Sequence, residues 1–160
     1  MTLLRGALAA TALALASLAI AADPLPARFA HLPESVVEVV TPAGSHRFKV
    51  WIAADDSSRA LGLMHVTGMP ADRGMLFLFE SEHRVDFWMK DTPLSLDMLF
   101  IAADGRIVNI AENTTPGSLA PIESAAAVSA VLEVSGGTAR GLGIEPGDRV
   151  LHPALGHGQR

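Results

Sequence analysis

The chain has 160 residues, with 12 lysines and arginines against 17 aspartates and glutamates, a formal net charge of −5 and no cysteine. The acidic balance and the lack of any basic run exclude an electrostatic grip on nucleic acid or on an anionic membrane. Without cysteine there is neither a disulfide framework nor a thiol to serve as nucleophile or metal ligand, so stability must come from the apolar core that 49% hydrophobic residues can supply.

In chain order, residues 1–21 come first: Arg5, an apolar run from Gly6 to Ile20, and the small-x-small pattern Ala19-Ile20-Ala21. These are the parts of a secretory signal peptide, and the run is shorter than the ~20 residues a membrane-spanning helix needs. The expectation is cleavage and export to the periplasm or beyond, with no membrane anchor left behind. Loss of Arg5 makes the mature charge about −6, and the remaining 139 residues suit one monomeric domain. Residues 22–35 read as a lead-in, 36–152 as a single β-rich domain and 153–160 as a frayed tail.

Apolar residues then recur with a period of two more often than 3.6. Val36 to Thr41 and His46 to Ala53 read as strands of a hairpin around Pro42-Ala43-Gly44-Ser45. Asp55 to Ser58 offer helix caps ahead of a short helix over Arg59 to His65, which Gly68 and Pro70 would end. Gly74 to Glu80, His83 to Lys90, Leu96 to Ala102 and Arg106 to Glu112 are further strand candidates, the last two joined by Ala103-Asp104-Gly105. After a loop from Asn113 to Ser124, Ala127 to Val134 reads as a buried strand, Thr138 to Leu142 as a helical turn and Arg149 to His152 as a closing strand. The pattern predicts a mostly β, antiparallel sandwich or barrel with one or two short helices.

One stretch departs from ordinary packing sequence: Asp86-Phe87-Trp88-Met89-Lys90-Asp91-Thr92, followed by Leu96-Asp97-Met98. Strand alternation would put Phe87 and Met89 on one face and Asp86, Trp88 and Lys90 on the other. Asp97 is a lone carboxylate in an apolar strand, for which Lys90 across a short loop is the economical counter-ion. Glu133, isolated in Val131-Leu132-Glu133-Val134, could join the same network.

These residues also carry a resemblance. Gly62-Leu63-Met64, Gly74-Met75-Leu76-Phe77, Phe87-Trp88-Met89-Lys90 with Thr92, Leu96-Asp97 with Phe100, Asp104-Gly105, Leu132-Glu133, Gly143-Ile144 and Gly147-Asp148 are similar to the bacterial and archaeal family called domain of unknown function 192, over about Val36 to Leu151. The resemblance implies a jelly-roll-like β domain, often exported, with no established activity. The family commonly carries Asn at the position of Asp91, Pro at that of Ser95 and Arg at that of Leu61.

Several readings of the unusual stretch stand side by side. Trp88, Lys90, Asp97 and Glu133 could form an internal ion network that fixes strand register. Trp88 as a flat platform, with Lys90, Asp91, Thr92, Asp97 and Glu133 as polar contacts, would instead make a small-ligand or partner-binding module. A hydrolase-like enzyme would use Lys90, Asp97 and Glu133 as acid and base, but no nucleophile elbow or triad order is recognisable. A copper site would draw on Met64 and His65 as soft ligands; Met75, Met89 and Met98 share faces with Phe77, Phe87 and Phe100, as core gap-fillers do. No resident cofactor is expected. Gly136 to Gly141 lacks the ending of a phosphate loop and reads as a tight turn into a helix.

Overall fold

The computed structural model describes residues 29–156. The expected signal peptide over 1–21, the first part of the expected lead-in and the last four residues of the tail lie outside the described residues. Among the described residues, nine strands and two helices follow one another as β1 (Glu34–Thr41), β2 (Gly44–Ala53), α1 (Asp56–Leu61), β3 (Arg73–His83), β4 (Asp86–Phe87), β5 (Leu96–Ile101), β6 (Ile107–Ala111), β7 (Ile122–Glu123), β8 (Val128–Ser135), α2 (Thr138–Leu142) and β9 (Arg149–Leu151).

Seven strands make one sheet in the order β6-β5-β8-β3-β2-β1-β9, and β4 pairs with β7 in a small separate ribbon. The large sheet curls into a half-barrel whose two end strands meet at one corner. There Arg106 bridges Arg149, Ile107 N–H donates to the Asp148 carbonyl at 2.8 Å and Val150 N–H to that of Gly105 at 2.7 Å. The mostly β architecture with two short helices is as the alternation predicts. The pairing departs from it at one place, because β2 and β3 run parallel. Parallel neighbours need a crossover, and α1 with the loop that follows supplies it.

Alternation along the strands produces two apolar layers. Val37, Val39, Phe48, Val50, Leu76 and Leu132, with partners from all seven strands, fill the inside of the curl. Trp51, Met75, Phe77, Met98 and Phe100 point the other way and are covered by Leu63, Val66 and Met89 from the connecting segments. Met75, Met89 and Met98 are fully buried there, the core positions expected of them.

Helix α1 starts and stops earlier than expected. Asp55 accepts from the Ser58 N–H at 2.9 Å while Ser58 Oγ accepts from the Asp55 N–H at 3.2 Å, a reciprocal cap that fixes the first turn at Asp56. Gly62, at φ 47°, ends it. Phe29 in the lead-in is buried against Trp51, with ring centroids 4.8 Å apart. In the tail, Leu155 is buried and Gly156 N–H donates to the Ala103 carbonyl at 2.7 Å.

The expected strand over His83 to Lys90 is the main correction. Strand β3 itself continues to His83, and after it only Asp86 and Phe87 pair, with Glu123 and Ile122. Beyond Phe87 the chain turns: Met89 N–H donates to the Ser118 carbonyl, Thr92 N–H to the Met89 carbonyl, and Asp91 takes a left-handed φ of 51°. The alternation of exposure survives even so, with Asp86, Trp88 and Lys90 outward and Met89 buried.

Candidate functional site

Strand β8 lies between β3 and β5 and places Glu133 opposite Met75 on one side and Met98 on the other. Residues directly opposite in a ladder share a face, so Glu133 belongs to the outer apolar layer. It is 4% exposed and makes no side-chain hydrogen bond or ion pair with any described residue. Burial without a compensating charge disfavours the carboxylate and pushes its pKa from 4.5 up to about 8. At neutral pH the group is therefore mostly a neutral acid.

Above Glu133 opens a pocket of about 500 Å³. Its walls are the rings of Phe77 and Phe79 from β3, Phe87 from β4 and Trp88, together with Leu61 and Met64 from the end of α1 and the loop after it. Phe77 and Phe87 meet edge to face with centroids 5.0 Å apart, which holds two of the rings in place. Thr92 lines the same space, and Arg59, His83, Arg84 and Asp86 supply its remaining ionisable groups. Leu61, where the family pattern carries arginine, contributes an apolar wall here.

The residues singled out in the sequence thus divide into three places. Trp88, Thr92 and Glu133 share the pocket. Lys90, Asp91 and Thr92 line a second depression with His65, Thr67 and Leu119. Lys90 is exposed and its Nζ stands 5.7 Å from the Trp88 ring centroid, so its partner is the tryptophan face and not Asp97. An exposed contact of this kind is worth under about 1 kcal/mol. Lys90→Ala should accordingly leave the urea midpoint within that margin, whereas an Asp97 counter-ion would be missed severely.

Asp97 occupies the third place. It is fully buried in strand β5, and its Oδ1 accepts from the backbone N–H groups of Asn113 at 2.7 Å and Gly137 at 3.0 Å, while Oδ2 accepts from Ala139 at 2.8 Å. Gly137 caps α2 and Ala139 lies in its first turn, so backbone amides replace the expected lysine. Because Asp97 pairs in register with Val134, it lies on the face opposite to Glu133. The internal network of Lys90, Asp97 and Glu133 does not form, and neither does an acid–base constellation of those three. Met64 and His65, the soft-metal candidates, line different pockets. His65 has a left-handed φ of 61°, and its N–H donates to the Asp91 carbonyl at 2.6 Å. Among the described residues no three His, Cys, Asp or Glu side chains gather as metal ligands do.

Phe77 and Phe79 are among the pocket residues that the sequence pattern alone does not connect to the site. Their signal was present in the Met75-Phe77-Phe79 alternation, but only the β3–β8 register ties that face to Glu133.

Two solved structures share the fold closely. A candidate transcription regulator of Sinorhizobium meliloti 1021 is 45% identical, with a TM-score of 0.75 over 78% of this chain and 97% of that one. A protein of unknown function from Novosphingobium aromaticivorans DSM 12444 is 35% identical, with a TM-score of 0.76 over 89% of this chain and 100% of that one. No curated protein matches the chain. The model of the DUF192 family, described as "Uncharacterized ACR", matches residues 38–152, nearly all of the described β domain, and the chain belongs to that family.

Proposed function

We propose that this is an exported binding module that takes a small organic ligand in the pocket above Glu133. The observation that carries the reading is the carboxyl of Glu133, on a residue 4% exposed with no hydrogen bond to a described residue, lining a ring-walled space. Buried polar groups are satisfied as a rule, and an exception points to something that completes it. A pocket of about 500 Å³ is of the size that ordinary small ligands fill. Export is supported by the leader pattern over residues 1–21.

A DNA-binding role, which the description of the Sinorhizobium relative suggests, finds less support in this chain. The formal charge is −5, and α1 and α2 span only six and five residues, too short to present a recognition helix to a major groove.

The test is a thermal-shift screen of small aromatic and heteroaromatic compounds, followed by tryptophan fluorescence. A compound at a hundred times its dissociation constant stabilises by about 2.7 kcal/mol. Its binding should perturb Trp88, which is 53% exposed and lines the pocket, while Trp51 stays silent in the core. Trp88→Phe should remove the fluorescence response and keep the fold. Stabilising compounds that leave Trp88 emission unchanged would place binding elsewhere.

A further inference from the structure

We propose that the ligand is an organic cation, an ammonium or guanidinium group on an apolar body, with the cation seated on Glu133 and the body against the Phe77, Phe79, Phe87 and Trp88 rings. This inference rests on the reading of the pocket as a ligand site and adds the chemical class. Rings of this wall already take cations, Arg59 over Phe79 at 5.8 Å and Lys90 over Trp88 at 5.7 Å, and an ionised Glu133 beside them adds a full charge in a space of low polarity.

The protein's own cations do not fill that role. The Arg59 guanidinium donates from Nη1 to the carbonyls of Ala54 and Leu78, at 2.5 and 2.9 Å, and pairs from Nη2 with Asp56 at 2.6 Å. Arg84 reaches the Ser124 carbonyl at 3.4 Å, with Asp86 of opposite sign two residues on. His83 Nδ1 is engaged with the Ser81 carbonyl at 2.8 Å. Across the sheet, β3 and β5 present only Met75 and Met98 to Glu133. Every positive group on the wall thus has another partner, and the acid faces the cavity alone.

Binding is then coupled to a proton. The carboxylic acid of Glu133 gives its proton to the buffer, and the carboxylate left behind pairs with the incoming ammonium, which keeps its own protons. Below pH 8 the affinity should rise up to tenfold per pH unit and level off where Glu133 is already ionised. Arg59, His83, Arg84 and Asp86 are the other ionisable groups facing the pocket, and the Glu133→Gln variant keeps all four.

The experiment is isothermal calorimetry of the whole protein at pH 7 with phenethylamine, its neutral counterpart phenethyl alcohol and the anion phenylacetate, each in two buffers of different ionisation enthalpy. The expected result is that the amine binds at least tenfold more tightly than the alcohol and releases close to one proton. In Glu133→Gln that preference and the proton release both vanish. If amine and alcohol bind alike and no proton is released, the cation inference is overturned and the pocket reading survives. If none of the three binds, both fail.

Discussion

Replacing Asp97 by alanine is expected to lower the stability of the domain by about 3–5 kcal/mol, or roughly 10–20 °C in melting temperature. The carboxylate is buried and receives three backbone N–H bonds from two separate segments, the turn at Asn113 and the start of α2. Removing it leaves three donors unpaired, of which the Ala139 N–H is buried, and opens a cavity beside Val134 and Ala139. Whole domains are stable by only ~5–15 kcal/mol, so the variant sits near the edge of folding. Asp97→Asn should lie between, at about 2 kcal/mol, since its carbonyl still serves Asn113 and Gly137 but its NH₂ faces the Ala139 N–H, donor against donor. Urea unfolding of the three proteins measures the order. Hydrogen exchange should localise the loosening in Asp97→Asn to α2 and the segment around Asn113. An alanine variant within about 0.5 kcal/mol of wild type would show that the carboxylate does not hold those segments together.

That expectation differs from what the sequence suggests, and the difference shows what a sequence can carry. The mostly β architecture was legible because strand alternation is local: Phe48, Val50 and Ile52, or Leu96, Met98 and Phe100, reveal their faces within six residues. The hairpin around Pro42-Ala43 and the turn into α2 were legible from glycine and proline placement. The partner of Asp97 was not, because it is made of backbone amides from residues 16 and about 40 positions away, and every residue type carries the same amide. A lone buried acid suggests a side-chain cation to the reader, whereas the fold solves the problem with main chain. Asp91 shows the converse case: its left-handed φ explains, in local terms, why Asp stands here and Asn is common in the family, both being side chains that tolerate that conformation. The pocket lay between these extremes. Trp88, Thr92 and Glu133 could be picked out as unusual, but placing Glu133 needed the β3–β8 and β5–β8 registers, which set it beside Met75 and Met98 on one face and put Asp97 on the other.

Glu133 should leave a signature in the dependence of stability on pH. Its carboxyl has an ordinary value of 4.5 when unfolded and is pushed up to about 8 when folded, because burial disfavours the charge. Between those two values the folded chain holds a proton that the unfolded chain has lost, so the unfolding free energy falls as pH rises, by up to about 1.4 kcal/mol per unit. The contribution is whole below pH 4.5, is lost progressively through pH 8 and is gone above it. His152 acts in the opposite sense: burial holds its pKa below 6.5, so its contribution is lost as pH falls, and it leaves the alkaline half of the window to Glu133. Glu133→Gln keeps the shape of the neutral acid and cannot ionise. Relative to wild type, the variant should gain roughly 2–3 kcal/mol between pH 6 and pH 9, on the order of 10 °C. The subtraction cancels the titration of His152 and of every other group the two proteins share. Parallel melting curves across that range would mean that Glu133 ionises in the folded protein as freely as in the unfolded chain, and that the base of the pocket is already wet and paired.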